Sequence, residues 1–454
     1  MSRASLHLPP AEVPVIGEYD VVVIGGGPAG LMAATAASRA GRSTILIERY
    51  GFLGGAGTMG GLSTFCGLHA RVHGEDRLVV HGYADELLDR LVALNGLNDP
   101  HLTIEDRIMA IAFDISAYKI AADELVLAGG GTMLFHAMAV GITKADDDTI
   151  DAVIVESKSG RAAIRGRFFI DGSGDGDVAA WAGVPFDRSP DLLYPSLMFR
   201  INGVDPVEAG DAWRTVRRLM EEAEAAGTHS FPRKKPIVRP QRNPIEWRSN
   251  LTQLSNDDGS AVDGTDVHQL THGEIQGRQQ VRDTFEFIRS RTPGFADSYV
   301  VDIAPQIGIR ETRRVHGRYQ LTEDDVLNAV DFDDSIGVNG WPVEAHVSGD
   351  VAFRFHHAAD SRGFNQLPYR MMVPVTMNNL LVTGRCASMT QGGQSSARVT
   401  GPCFVMGQAA GTAADLALAR ASSAGDVDIA VLQQRLKSDG GYLGTDLAAD
   451  RVAV

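Results

Sequence analysis

The chain has 454 residues, 44% of them hydrophobic and 22% charged, with a formal net charge of −15. That length exceeds one compact core, so two domains, or one large domain carrying an insertion, are expected. The acidic balance, without a long Lys/Arg block, argues against nucleic acid or an anionic membrane as partner, and the 50 glycines exceed the usual share of roughly 7%, which places them in special turns and against ligands.

The first residues, MSRASLHLPPAEVPVIGE, lack the apolar core of a secretion signal, and a cytoplasmic location is expected. Residues 19–24, YDVVVI, form a β-branched run suited to a buried parallel strand, followed by Gly25-x-Gly27-x-x-Gly30 and the Ala-rich helix LMAATAASRAG. Gly25 permits the tight turn, Gly27 leaves room for a pyrophosphate and Gly30 lets helix and strand pack closely, with Pro28 and Ala29 inside the turn. A second strand, STILIE, ends at Glu48, where an acid would accept from ribose hydroxyls. The glycine-dense loop ERYGFLGGAGTMGG (48–61) follows directly, with Arg49, Gly54, Gly55 and Thr58 as further binding candidates. Such backbone-donor loops suit FAD better than a nicotinamide.

His69 and His73 have a metal-ligand spacing only if helical, in a stretch poor in helix formers, and no metal site is expected. Residues 125–142, LVLAGGGTMLFHAMAVGI, approach the length of a membrane span. Three glycines divide them, and they are predicted as a helix end, a turn and a buried strand rather than a transmembrane segment. The Pro-, Arg- and Asn-rich stretch 228–264 is expected to be a lid or an ordered surface excursion. In RETRRVHGR, strand periodicity would put Arg310, Thr312, Arg314, His316 and Arg318 on one face, with Glu311 and Arg313 on the other. That face would pair with the chain's own acids or bind an anionic substrate. Cys66, Cys386 and Cys403 lie far apart, so neither a disulfide framework nor a redox thiol pair is indicated, and Cys386 is expected to be a small packing residue.

Four further segments carry a family resemblance: FFIDGSGDGDVAAWAGVPF (168–186), LMFRINGVD (197–205), IGIRETRRVHGRYQLTEDDV (307–326) and the long return segment 369–414. Together with the opening fingerprint they make most of the chain resemble the FAD-dependent oxidoreductases, a family distantly like fumarate reductase flavoproteins and geranylgeranyl reductases. The resemblance implies an α/β fold: a Rossmann-like FAD-binding domain built from residues 15–185 and 374–425, an inserted α+β substrate domain over 186–373, and a C-terminal helix and tail over 426–454. It implies non-covalent FAD, with the backbone near Val140 at the adenine, Gly174 in the turn closing the first half, and Gly384, Arg385, Ser395, Arg398 and Val399 lining the flavin. In the family the helix after Pro402 points its N-terminal end at the flavin pyrimidine ring, where partial positive charge would stabilise a reduced, anionic flavin.

The expected reaction is hydride transfer between flavin N5 and a small organic substrate, with a flavin monooxygenase or a non-redox binding scaffold as alternatives. The electron acceptor, the reaction direction and a homo-oligomeric state are left open. Residues 354–374 lead into the strand returning to the flavin. There His357 is the expected proton-transfer group, with an ordinary pKa of about 6.5, and Arg370 the expected anchor for a substrate carboxylate or carbonyl. Arg310 and His346 stand next in line.

Overall fold

The computed structural model describes residues 12–103, 106–357 and 361–445. Strand β1 (Val15–Ile24) runs into helix α1 (Pro28–Arg39) and returns through β2 (Thr44–Ile47). Helix α2 (Ile115–Ala128), capped by Asp114 accepting from Ala117 N at 2.8 Å, leads to β3 (Thr132–Leu134). The helix end and the turn predicted over 125–142 lie where expected, but the strand there is a sheet-edge strand, exposed at Thr132 and half-buried at Met133 and Leu134, rather than the buried strand predicted. A meander of β4 (Met138–Asp146), β5 (Thr149–Ser157) and β6 (Gly160–Asp171) follows, then the short helix α3 (Asp177–Ala182).

The inserted region contributes β7 (Phe199–Asn202), α4 (Ala212–Ala225), β8 (Ile237–Pro240), β9 (Trp247–Asn250), the long α5 (Val267–Arg291) and β10 (Tyr299–Ile303). A hairpin of β11 (Val343–Val347) and β12 (Asp350–Arg354) precedes the return strand β13 (Leu380–Val382), helix α6 (Gln391–Ala397) and helix α7 (Thr400–Arg420).

The central sheet has seven strands in the order β3-β2-β1-β6-β5-β4, with β13 also paired to β6. β3, β2, β1, β6 and β13 run parallel, and β5 and β4 add an antiparallel edge. The fold is thus α/β with a mostly parallel central sheet. Val21, Val22 and Val23 are fully buried, as a strand covered on both faces requires. β13 comes from far down the chain yet pairs Leu380–Val382 with Phe169–Asp171, so the return segment completes the sheet.

Helices α1 and α7 pack against each other through small residues. A Cβ on Gly407 would lie 2.1 Å from the carbonyl oxygen of Ala29, and one on Gly411 would lie 2.2 Å from that of Ala33. No side chain fits at either place.

The second sheet is antiparallel, in the order β8-β9-β7-β10, and has its own core around Phe199, Trp247, Phe287 and Phe295. Residues 228–264 are therefore neither lid nor surface excursion. They supply an edge strand and an inner strand, because Trp247 and its backbone pair directly with β7. Residues 307–326 also differ from expectation: only Arg314–Val315 is strand. Buried Glu311 pairs with buried Arg314, three residues on, which a regular strand would hold on the opposite face. A buried carboxylate needs its cation more than the segment needs regular extension. Between 321 and 372, Leu321, Val343, Phe364, Leu367 and Met372 pack into the same core as α1 and α7. Among the described residues no helix is long and apolar enough to cross a membrane.

Candidate functional site

One large cavity opens where β1 and β6 end, and α1 and α7 both begin at its wall. Gly25 has φ +91° and hands its N–H to Ile47 O at 2.8 Å, turning the chain sharply out of the sheet. A side chain would resist that left-handed backbone. Gly27 differs: a Cβ there would meet nothing closer than Gly55 Cα at 3.9 Å, so the position borders open space that a larger side chain would fill. Gly30 touches the turn itself, where a Cβ would fall 1.8 Å from Gly25 O. These three positions make a pyrophosphate-sized cradle at a helix N-terminus, and the residues present fit FAD.

Glu48 lines the cavity and is buried, with Oε2 accepting from Gly26 N at 2.7 Å and Oε1 from Tyr50 N at 2.9 Å. The carboxylate therefore pins the phosphate turn to the loop after β2. Gly54 donates its N–H to Gly26 O at 2.8 Å, and Thr58 Oγ1 donates to Leu53 O at 2.6 Å.

At the end of β6 the buried Asp171 accepts from Ser173 N at 3.1 Å, Ser173 Oγ at 2.6 Å and Ala179 N at 3.0 Å. Burial pushes its carboxyl up to about 6. It shapes the turn that presents Gly174 and Asp175 to the cavity. Arg385 from the return segment reaches this turn, pairing with Asp175 at 2.7 Å and donating to Ile309 O at 3.1 Å. Asp175 and its contact with Arg385 were not anticipated from the sequence, although the residue lies inside the quoted GSGDGD. At the α7 end, Val399, Thr400 and Cys403 line the same space.

Of the residues expected at the cofactor, Gly25, Gly27, Pro28, Ala29, Glu48, Arg49, Gly55, Gly174, Gly384, Arg385, Arg398 and Val399 line the cavity. Gly30, Gly54 and Thr58 brace it from behind. Met138 and Ala139 line it in place of Val140, and Ser395 is buried within α6. The two expected catalytic side chains lie apart from the cavity. His357 is exposed, its N–H donating to Leu327 O at 2.9 Å. Arg370 is half exposed and grips Asp334, with Nε at 2.9 Å and Nη2 at 3.2 Å. His69 begins a strand, and burial pushes it down to about 4. Burial raises the Cys386 thiol well above its usual value.

Cations stand at and behind one wall of the cavity. Arg310 and Arg398 line it. Arg310 donates to Tyr194 O and, at 2.7 Å, to Ser196 Oγ. Arg398 Nη2 donates to the backbone oxygen of Glu344 at 3.3 Å, while its Nε is buried without a partner. Nearby, Arg233 Nε donates to Lys235 O at 2.8 Å, and Arg248 donates to Pro240 O and contacts His101 Nε2 at 3.0 Å. Burial lowers Arg233 to about 10 and Arg248 to about 9. Burial, reinforced by Arg233 and Arg398, pushes Arg310 well below the arginine range.

Glu344 Oε1 meets His346 Nε2 at 3.0 Å, and Oε2 accepts from Trp341 Nε1 at 2.9 Å. Burial works to raise the Glu344 carboxyl, but His346, Arg398 and Trp341 together hold it far below the usual range. Burial and then Arg310 press His346 well below its ordinary value, leaving a neutral ring beside a carboxylate. Arg233, Arg248 and Glu344 were not singled out from the sequence.

The profile of the family described as FAD dependent oxidoreductase matches residues 20–436. Over 42 residues, 9% of this chain and 9% of the relative's length, the sequence is 50% identical to a dihydrolipoyl dehydrogenase of Trypanosoma brucei brucei. Among solved structures, a geranylgeranyl bacteriochlorophyll reductase-like protein from Thermoplasma acidophilum is similar at 13% identity and a TM-score of 0.48, with 94% of this chain and 84% of that chain covered. The p-nitrophenol 4-monooxygenase of Pseudomonas putida is similar at 13% identity and a TM-score of 0.45, with 96% and 91% covered.

Proposed function

The chain belongs to the FAD dependent oxidoreductase family, and from that premise we propose that it transfers a hydride between a small organic substrate and a non-covalently held FAD. The observation that carries this reading is the convergence of two helix N-termini, those of α1 and α7, on one cavity bordered by Gly27. When bound, FAD supplies a ring that takes or gives the hydride at N5. The chain supplies position and charge. Backbone N–H groups at the start of α1 are free to face a pyrophosphate, and Glu48 offers a carboxylate at the cavity wall for ribose hydroxyls. The N-terminus of α7 contributes partial positive charge, which favours added electron density nearby.

Purified protein tests the reading directly. It should be yellow, release its flavin on acid precipitation and bleach anaerobically with one member of a panel of small metabolites. Colourless protein that takes up no added FAD would sink the proposal. Bleaching by a nicotinamide alone, followed by oxygen insertion into an added aromatic compound, would redirect it to a monooxygenase.

A further inference from the structure

Arg233, Arg248 and Arg310 are 4%, 8% and 8% exposed, and of the four cations Arg310 and Arg398 line the cavity. Among the described residues every hydrogen-bond partner of these four side chains is neutral, and none of the four makes an ion pair. Unpaired buried charge is costly, and proteins ordinarily pair it or give it a ligand. One carboxylate, Glu344, stands among Arg233, Arg310 and Arg398, and its oxygens are engaged by His346 and Trp341. The acids nearby are spoken for: Glu311 pairs with Arg314, Asp175 with Arg385 and Asp350 with Lys235. The FAD phosphates do not resolve the imbalance, because Arg233 and Arg248 do not line the cavity that Gly27 borders. Arg310 and Arg398 do line it, and Arg398 Nε is a buried donor that no described residue satisfies.

We infer that the substrate is a small organic oxyanion, a carboxylate or a phosphate ester, held at the cavity by Arg310 and Arg398 while Arg233 and Arg248 add to the attracting field. What is done to this substrate rests on the flavin reading above; that it is an anion does not. Guanidinium forks match the paired oxygens of either group, and a bound anion would favour their charged form against the burial that opposes it. The anion would complete a cluster that otherwise carries excess positive charge inside the protein.

The test uses the protein as purified, titrated with malonate, succinate and inorganic phosphate against sodium chloride at equal ionic strength. Thermal unfolding and the flavin absorbance band are both read, and FAD content is measured separately. We expect at least one of the three anions to raise the unfolding temperature beyond chloride and to perturb the flavin band. In Arg310→Met and Arg398→Met, with full FAD content, half-saturation should move up at least tenfold. Arg282→Gln, an exposed change on α5, should behave as wild type. Arg310→Lys covers the case in which the methionine variant does not fold, and should bind measurably more weakly than wild type because its fork is lost.

A dicarboxylate effect without a phosphate effect identifies the carboxylate source, and the reverse identifies the phosphate. No response beyond chloride overturns the inference, as do unchanged half-saturation in both variants or loss of FAD from both, which would assign these arginines to the cofactor. A colourless wild type overturns the flavin reading, while the thermal shift still decides the anion.

Discussion

The proposed cofactor side and the proposed substrate side of the cavity are built by opposite means. On the cofactor side, contiguous backbone does the work: Gly25, Gly27 and Gly30 lie within six residues, and α7 closes on α1 through Gly407 and Gly411 with no room for a side chain. On the substrate side, the long cationic side chains of Arg310 and Arg398 line the wall, with buried Arg233 and Arg248 behind it, and all four meet neutral partners. The first region is consistent within itself, each local choice supporting the fold. The second places buried charge where stability gains nothing, which is the pattern expected where function rather than folding sets the residues.

The sharpest way to break this comparison is Gly27→Val. The apo fold has space for the side chain, so we expect unchanged secondary structure and unfolding temperature with FAD affinity down at least a hundredfold, about 2.7 kcal/mol. Flavin titration with circular dichroism checks it, and normal FAD content would remove the cradle. Gly407→Ala attacks the same side through packing: the new methyl meets the Ala29 carbonyl, so helix separation should cost about 1–3 kcal/mol and lower FAD retention together with stability. Denaturant unfolding of the apo and loaded protein separates this outcome from that of Gly27→Val.

pH sharpens the contrast further. Burial pushes His69, with His81 adding to it, and His101, with Arg248 and Arg239 adding to it, down to about 4. Below about 6.5 the unfolded chain takes up protons at these rings that the folded chain refuses until about 4. Stability is therefore fully present above 6.5 and is lost as pH falls toward 4, at up to roughly 1.4 kcal/mol per pH unit for each ring. Urea midpoints across that window should show a shallower slope in His69→Gln and in His101→Gln. In an Arg248→Met background the His101 share should shrink while the His69 share stays.

The smallest expected effect has the opposite sign to the cofactor-side changes. Arg233→Met removes an unpaired buried charge and keeps most of the volume. The protein without anion should be as stable as wild type or about 1 kcal/mol more so. A loss of several kcal/mol would show that Arg233 is structural and that the two sides are built alike.

The same division explains what could be read in advance. The strand, glycine turn, helix and acid at Glu48 are a local signal, because neighbouring backbone groups both form the turn and face the ligand. The return segment was legible for a similar reason: a buried strand followed by a small-residue helix announces close packing. Residues 228–264 misled because proline and arginine usually mark surface chain, whereas here Trp247 anchors the strand and Arg248 is buried beside it. The regular strand expected around Arg310 failed because the ion pair of Glu311 with Arg314 bends the backbone out of alternation. His357 and Arg370 were favoured by their place in the chain, yet proximity in sequence to the return strand does not carry a side chain to the cavity. The Glu344, Arg233 and Arg398 grouping has no sequence spacing at all, since one strand and two separate connecting segments bring it together.

The contact between α1 and α7 also fixes when the protein can become competent. α1 is synthesised long before α7, and β13, which completes the sheet beside Asp171, emerges shortly before α7. During translation the fingerprint is exposed with its partner helix still unmade, and a nascent chain stalled before Leu380 holds half a nucleotide site. Flavin loading is therefore expected to wait for α7, and a ribosome-bound chain should capture FAD only after the α7 residues have cleared the exit tunnel.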